Sequence, residues 1–254
     1  MARVIGLNPS ITSPSMVAAT VKGVRGVDIE TPNATGSSKW PLQQQYQRYR
    51  DHAAGIAESI VKFTPDIVVM SSPESIVLSG NSGIAPRRSY AVGVLVVSEL
   101  VTRGVTVVLI GAKNLREVVL GAPDGTPQTA EQMRASAAGA LGPEGLVKHG
   151  DAAALAMVGT ELLGVAAPWA TKLKGVLDVE KLELPPGFAD TKAELETAAK
   201  TEAMKLRAVE LASMVKGAKP EQITAAINED ATSRGFDPTI YTALVHAATC
   251  TPTP

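Results

Sequence analysis

Cysteine is nearly absent from this chain of 254 residues, with Cys250 standing alone. That excludes an intrachain disulfide framework and any multi-cysteine zinc site. The three histidines are scattered, so a His/Cys metal cluster is not expected either. Aromatic residues make up only 4%, which leaves Ala and Val to supply much of the core. An excess of one charge is also missing. The net charge of −1 gives no global attraction to nucleic acid, so any DNA-binding surface must be a local patch. No run of about 18 apolar residues occurs, and no charged, apolar and small signal segment opens the chain. A cytoplasmic protein with no membrane partner is the default expectation. No internal repeat or low-complexity tract is visible. What is present is ordinary for a soluble globular chain: 45% hydrophobic residues, 19% charged residues, and enough length to bury a full core in one domain or two.

The chain is organised around its first apolar run, Arg3-Val4-Ile5-Gly6-Leu7-Asn8-Pro9-Ser10-Ile11-Thr12, which predicts a buried central strand over 3–8 and a turn after it. Alternation predicts two antiparallel neighbours over 16–24 and 27–31, joined by a turn at Arg25-Gly26. Residues 32–41 read as a loop. Leu42, Tyr46, Tyr49, Ala53, Ile56 and Ile60 fall at helical spacing and predict a helix over 42–63, with those residues on its core face. Thr64-Pro65-Asp66 breaks it, and Ile67 to Met70 is a fully apolar strand ending at Ser71-Ser72-Pro73. Residues 74–86 read as a Gly/Ser-rich loop. A helix is expected over 87–103, facing the core with Tyr90, Val94, Val97 and Val101 and closed by Arg103-Gly104. A strand follows over 105–110, then helices over 113–120 and 129–141. Asp151 opens an Ala-rich helix, where Asp is a favoured N-cap. His149 beside it is expected to face solvent.

Beyond Pro185-Pro186-Gly187 the composition changes. Residues 190–216 contain no Pro or Gly until the helix they predict approaches Gly217. Leu195, Ala199, Ala203, Leu206 and Val209 form its apolar stripe. Lys219-Pro220-Glu221 and Asp237-Pro238 start two more helices. This appendage holds slightly more acidic than basic residues, which does not support a basic DNA-binding bundle. The domain expectation is 1–187 for an α/β domain and 188–254 for a helical extension.

Three stretches of the chain resemble the RuvC-like Holliday junction resolvases of the RNase H-like superfamily, in particular their phage and actinobacterial members. The first strand follows the family pattern apolar-Gly-apolar-Asp-Pro-Ser-apolar-Thr, with Asn8 at the Asp position. The order helix, Pro-Asp, apolar strand is that of the family, with Ser71 at the position of its Glu. His149-Gly150-Asp151-Ala152-Ala153-Ala154-Leu155 through Met157-Val158-Gly159 matches the last helix, where Asp151 stands at the metal-binding Asp. The resemblance covers residues 1 to about 187. It implies a mixed five-stranded sheet flanked by helices, with the all-helical extension added after it. It also implies a homo-oligomer. Residues 113–123, lysine-rich in those members, keep few lysines here.

RuvC-like cleavage uses paired divalent metals that activate water and stabilise the leaving oxygen. Mg²⁺ binds through few anionic oxygen ligands, so each carboxylate counts. At the relic positions Asn8, Ser71 and Asp151, one carboxylate remains, and Asp151 alone would be a weak metal ligand. Glu74, three residues past Ser71, is the candidate substitute. No nucleophile elbow is present, and Gly80-Asn81-Ser82-Gly83 lacks the Gly-Lys-Ser/Thr of a phosphate loop.

Three functions remain open. One is a catalytically degenerate protein kept as a structural or protein-interaction module, placed in a virion if the chain is phage-encoded. The second is a non-cleaving binder of branched DNA, with Arg87, Arg88, Lys113 and Arg116 on one face. The third is an active junction endonuclease with an altered site. No cofactor is expected, and Mg²⁺ or Mn²⁺ would be needed only if cleavage is retained.

Overall fold

In the computed structural model, which describes residues 3–20, 22–30, 40–78, 84–121, 128–140, 148–164 and 173–250, the first apolar run is a central strand. This is β1 (Arg3–Asn8). It is followed by β2 (Ser15–Thr20), β3 (Gly23–Asp28), β4 (Ile67–Ser71), β5 (Val107–Ile110) and β6 (Leu182–Glu183). The sheet order is β3-β2-β1-β4-β5-β6. β1, β2 and β3 form an antiparallel meander, β4 and β5 run parallel to β1, and β6 returns antiparallel on β5. The mixed sheet that the resemblance implies is present, with six strands where five are expected. The two residues of β6 pair with Leu109 and Ile110 and cover part of an otherwise open edge.

Helices lie on both faces of the sheet, which is why β1 and β4 read as near-continuous apolar runs. On one face Ile5, Leu7, Val68 and Met70 pack with α1 (Leu42–Val61) and α3 (Ile84–Thr102) in a single buried cluster. On the other face Val4, Gly6, Ile67 and Val69 meet α6 (Gly150–Leu162). The approach there is very close. A Cβ on Gly6 would overlap the Ala152 carbonyl oxygen and the Ala156 nitrogen, and one on Gly159 would overlap Val4. Gly159 lies at the Val4 end and Ala152 at the Gly6 end, so α6 runs antiparallel to β1. Every residue from Ala152 to Thr160 is buried. The remaining helices of this unit are α2 (Pro73–Leu78), α4 (Ala112–Leu120) and α5 (Ala130–Ala140), with α5 packed on both α4 and α6.

Several local expectations are corrected. The hairpin turns between Thr20 and Gly23, which pair directly, and Arg25 and Gly26 lie inside β3. The Thr20 hydroxyl accepts from Lys22 N and donates to the Gly23 carbonyl, stabilising that earlier turn. Residues 73–78 are helical rather than loop, since Pro73 suits a first helical turn. Leu42 and Tyr46 are exposed, and α1 is buried only from Tyr49 onward. On α3 the core side is Val92, Val96 and Leu100, with Val97 of the expected stripe partly buried against them, while Tyr90, Val94 and Val101 are exposed. Both stripes have helical spacing, so α3 is apolar on two sides. The expected loop at 32–39, the Gly80–Gly83 stretch and the end of the family match at 165–168 lie outside the described residues. Among the described residues, no helix is long and apolar enough to cross a membrane.

Residues 2–192 form one compact unit and 193–254 a second. The second is built from α7 (Phe188–Met214) beyond its first five residues, α8 (Pro220–Arg234) and α9 (Pro238–Cys250). α8 has Pro220 in its first turn and ends at Gly235 in the left-handed conformation, φ 63°. α9 is capped by Asp237 Oδ1, which accepts from Thr239 N and Ile240 N. The core of this unit is Met204, Ala208, Leu211, Ala212, Ile227, Ala231, Tyr241 and Val245. The buried stripe of α7 is therefore Met204, Ala208, Leu211 and Ala212 rather than the expected Ala203, Leu206 and Val209, and Val209 itself is exposed.

Candidate functional site

Alternation along β1 puts Asn8 on the same face as Val4 and Gly6, the face covered by α6. Because α6 runs antiparallel to β1, its first turn sits over the C-terminal end of that strand. Asp151, the second residue of α6, therefore meets Asn8 there. Asn8 Nδ2 donates to Asp151 Oδ2 at a long 3.5 Å. β4 is parallel to β1 and ends at Ser71 beside them. A cleft of about 510 Å³ opens at this edge, and Asn8, Ser71 and Asp151 all line it. The three positions that the resemblance singles out are thus brought together.

The residue that dominates the electrostatics was not singled out in the sequence. Arg134 Nε, from α5, donates to Asp151 Oδ1 at 2.8 Å. The two helices touch where this happens: a Cβ on Gly150 would lie 2.6 Å from Arg134 Cβ. Both oxygens of Asp151 are therefore engaged, one by a guanidinium and one by the Asn8 amide. The Arg134 pKa is raised by its hydrogen bond to Asp151 and by the charge of that carboxylate. Arg134 is the one basic residue of α5, a weak signal, and its partner lies 17 positions away. Only the packing of α5 on α6 reveals the pair.

The other candidates are dispersed. Glu74 is exposed in the first turn of α2 and is not among the cleft residues, although its neighbours Pro73 and Ser75 are. Of the four proposed DNA-contacting residues, Arg116 on α4 lines the cleft. Lys113 on the same helix does not, and it pairs with Glu117 at 3.7 Å. Arg87 and Arg88 sit at the start of α3, where Ser89 and Gly93 take the cleft positions.

Two histidine environments also differ from expectation or extend it. α6 is preceded by His149 at the N-cap rather than by Asp151, and the His149 side chain makes no capping bond. His149 is buried, not solvent-facing. Its Nδ1 has no partner among the described residues, and its Nε2 lies 3.7 Å from Asp28 Oδ1. Burial lowers its pKa, the Asp28 charge opposes that, and Lys148 adds to the lowering. His52 of α1 is buried too, with Nε2 3.1 Å from the Ser10 carbonyl. Burial is the main cause of its lowered pKa. A neutral ring donating to Ser10 pins the turn that follows β1.

The donor set at the cleft does not fit a pair of hard divalent cations. Mg²⁺ sites rely on carboxylate oxygens, and here one carboxylate faces an amide, a hydroxyl and a guanidinium. Among the described residues no group of three or more His, Cys, Asp or Glu side chains is arranged to hold a metal.

Neither a protein-family model nor a curated protein matches the chain. Two solved structures of Thermus thermophilus RuvC are similar to it. One, in complex with a Holliday junction substrate, is 18% identical with a TM-score of 0.38. The other is 20% identical with a TM-score of 0.40. Each comparison covers 61% of this chain and 90% of the RuvC chain.

Proposed function

We propose that this chain is a RuvC-like protein without nuclease activity, re-used as a structural module that associates with itself. The observation that carries the reading is the Arg134–Asp151 pair at 2.8 Å. It places a fixed positive charge on the one carboxylate left among the relic positions, where cleavage would need a metal. Association is supported by the second apolar side of α3, where Tyr90, Val94 and Val101 are exposed, and by exposed Leu42 and Tyr46 on α1. Clustered exposed apolar side chains are a feature of partner-binding surfaces.

The test is incubation with a labelled four-way junction and a matched linear duplex in Mn²⁺. No cutting is expected. Cutting that disappears on Asp151→Asn would overturn the reading and restore a metal-dependent endonuclease. A second reading, a non-cleaving binder of branched DNA, is favoured by Arg116 and Arg134 in the cleft. It requires salt-dependent binding to the junction without cleavage, since phosphate contacts release counterions.

A further inference from the structure

We infer that the cleft at the end of β1 and β4 has become an oxyanion site, taking the phosphate group of an organic phosphate where the resemblance implies cations. The inference rests on the reading above, that this cleft no longer holds a metal. The ionisable residues lining it are Arg116, Arg134 and Asp151, so its fixed charge is net positive.

The hydrogen-bonding capacity is donor-rich as well. Asp151 is already engaged through both oxygens, by Arg134 Nε and Asn8 Nδ2. It therefore works as an anchor. It holds Arg134 by Nε and leaves both Nη groups without a partner among the described residues. The half-buried Arg116 side chain makes no ion pair or hydrogen bond among them. The Ser71 and Ser89 hydroxyls, also in the cleft, are likewise unpaired there. Two guanidiniums and two hydroxyls thus converge on one space whose only carboxylate is spoken for. Guanidinium forks match the geometry of phosphate oxygens. α4 adds its first residue, Ala112, to the lining, and Gly111 before it has no side chain to cap the helix. That end of α4 favours negative charge.

The size of the cleft sets the ligand class. About 510 Å³ is far more than a phosphate ion fills and falls in the range of small-molecule sites. Pro9, Pro73, Leu115, Met133 and Leu155 supply apolar wall for an organic moiety. Two sources offer this chemistry: a free nucleotide, or the phosphates of a nucleic-acid strand.

The experiment is calorimetric titration of the full chain at low salt with inorganic phosphate, a nucleoside monophosphate and a short single-stranded oligonucleotide. Arg116→Gln, Arg134→Gln and, as a control on the same helix, Lys113→Gln are run beside it. A parallel Mn²⁺ titration is read by electron paramagnetic resonance. Loss of one charge-assisted contact should weaken binding of the phosphate ligand roughly ten- to a hundredfold in Arg116→Gln. Lys113→Gln should stay within about twofold. A nucleotide binding more tightly than inorganic phosphate identifies a small-molecule site, and binding of the oligonucleotide alone identifies a strand. Either outcome supports the inference if Arg116→Gln weakens it. Binding of none of the three, or binding that both arginine variants leave unchanged, overturns it and leaves the loss of the metal standing. Mn²⁺ binding abolished by Asp151→Asn overturns both.

Discussion

Asp230 is the residue through which the stability of the C-terminal helices can be probed most directly. Its side chain is 12% exposed and accepts from Arg207 Nε and Nη2, from Arg234 Nε and from the Tyr241 hydroxyl at 2.6 Å. Burial alone would raise its pKa. The hydrogen bonds from Arg207, Tyr241 and Arg234 outweigh that and hold the carboxyl well below the usual carboxylate range. Tyr241 is pushed the other way, first by its own burial and then by its bond to this carboxylate. Asp230→Ala leaves Tyr241 and Arg207 without their shared acceptor. Hydrogen bonds to charged groups contribute about 1.5–3 kcal/mol each. Arg234 is half exposed and Arg207 keeps Glu210 at 2.9 Å, so the sum must be discounted. A loss of about 3 kcal/mol is expected. Because the folded pKa is depressed, this stabilisation is complete above the unfolded value of about 3.9 and is lost as pH falls below it. Residues 193–254 contain no tryptophan. Tryptophan fluorescence therefore does not report on that unit, while far-ultraviolet circular dichroism follows all the helices. In urea at neutral pH, Asp230→Ala should move the dichroism transition of the C-terminal unit to lower denaturant and leave the fluorescence transition in place. The difference from the parent should close in strong acid. A shift below about 0.5 kcal/mol, or one of equal size in both signals, refutes the reasoning.

Three other outcomes are expected. Gly6→Ala should abolish soluble folded protein, because its methyl overlaps the backbone of α6, whereas Gly23→Ala, which meets nothing within 4 Å, should be tolerated. Soluble yield and circular dichroism of the pair decide this. His149 has its pKa lowered chiefly by burial, so the unfolded chain binds protons more readily below about pH 6.5 and stability falls on acidification through that range. The urea midpoint followed from about pH 7.5 to 5.5 should fall less steeply in His149→Asn than in the parent, and equal slopes would show that His149 is not the group. Val94→Glu and Val101→Glu on α3 should convert a self-associating species to monomer in sedimentation equilibrium with the dichroism unchanged; an unaltered mass would remove α3 as the contact.

Much of the α/β unit is readable from residue pattern, because β1 and β4 are buried on both faces and announce themselves as unbroken apolar runs. The places where pattern misleads share one cause. On α3, Val92, Val96 and Leu100 and the set Tyr90, Val94 and Val101 satisfy the same period, and only the packing of α3 on the sheet chooses between them. Leu42 and Tyr46 likewise continue the spacing of the buried part of α1 but pass beyond the core. The hairpin at Thr20–Gly23 is held by a side-chain hydroxyl, which leaves no periodic trace. At the site, Asn8, Ser71 and Asp151 are recognisable from the motifs around them. Arg134 is not, since it comes from a helix with no motif and gains meaning only where Gly150 lets α5 approach α6.

At the Asp151 end of the seam between β1 and α6, Gly6 lies directly against the backbone of Ala152 and Ala156, while at the other end Gly159 meets the Val4, Ile67 and Val69 side chains. The position of Asp151 is therefore dictated by backbone meeting backbone in the centre of the core. Any change that moved this carboxylate relative to Asn8 would also unseat the helix that covers the sheet. The shape of the cleft is thus preserved by the need to fold at all, whatever chemistry the cleft performs. Such a site can exchange its ligands one residue at a time, acid for amide or metal for arginine, while its geometry stays in place.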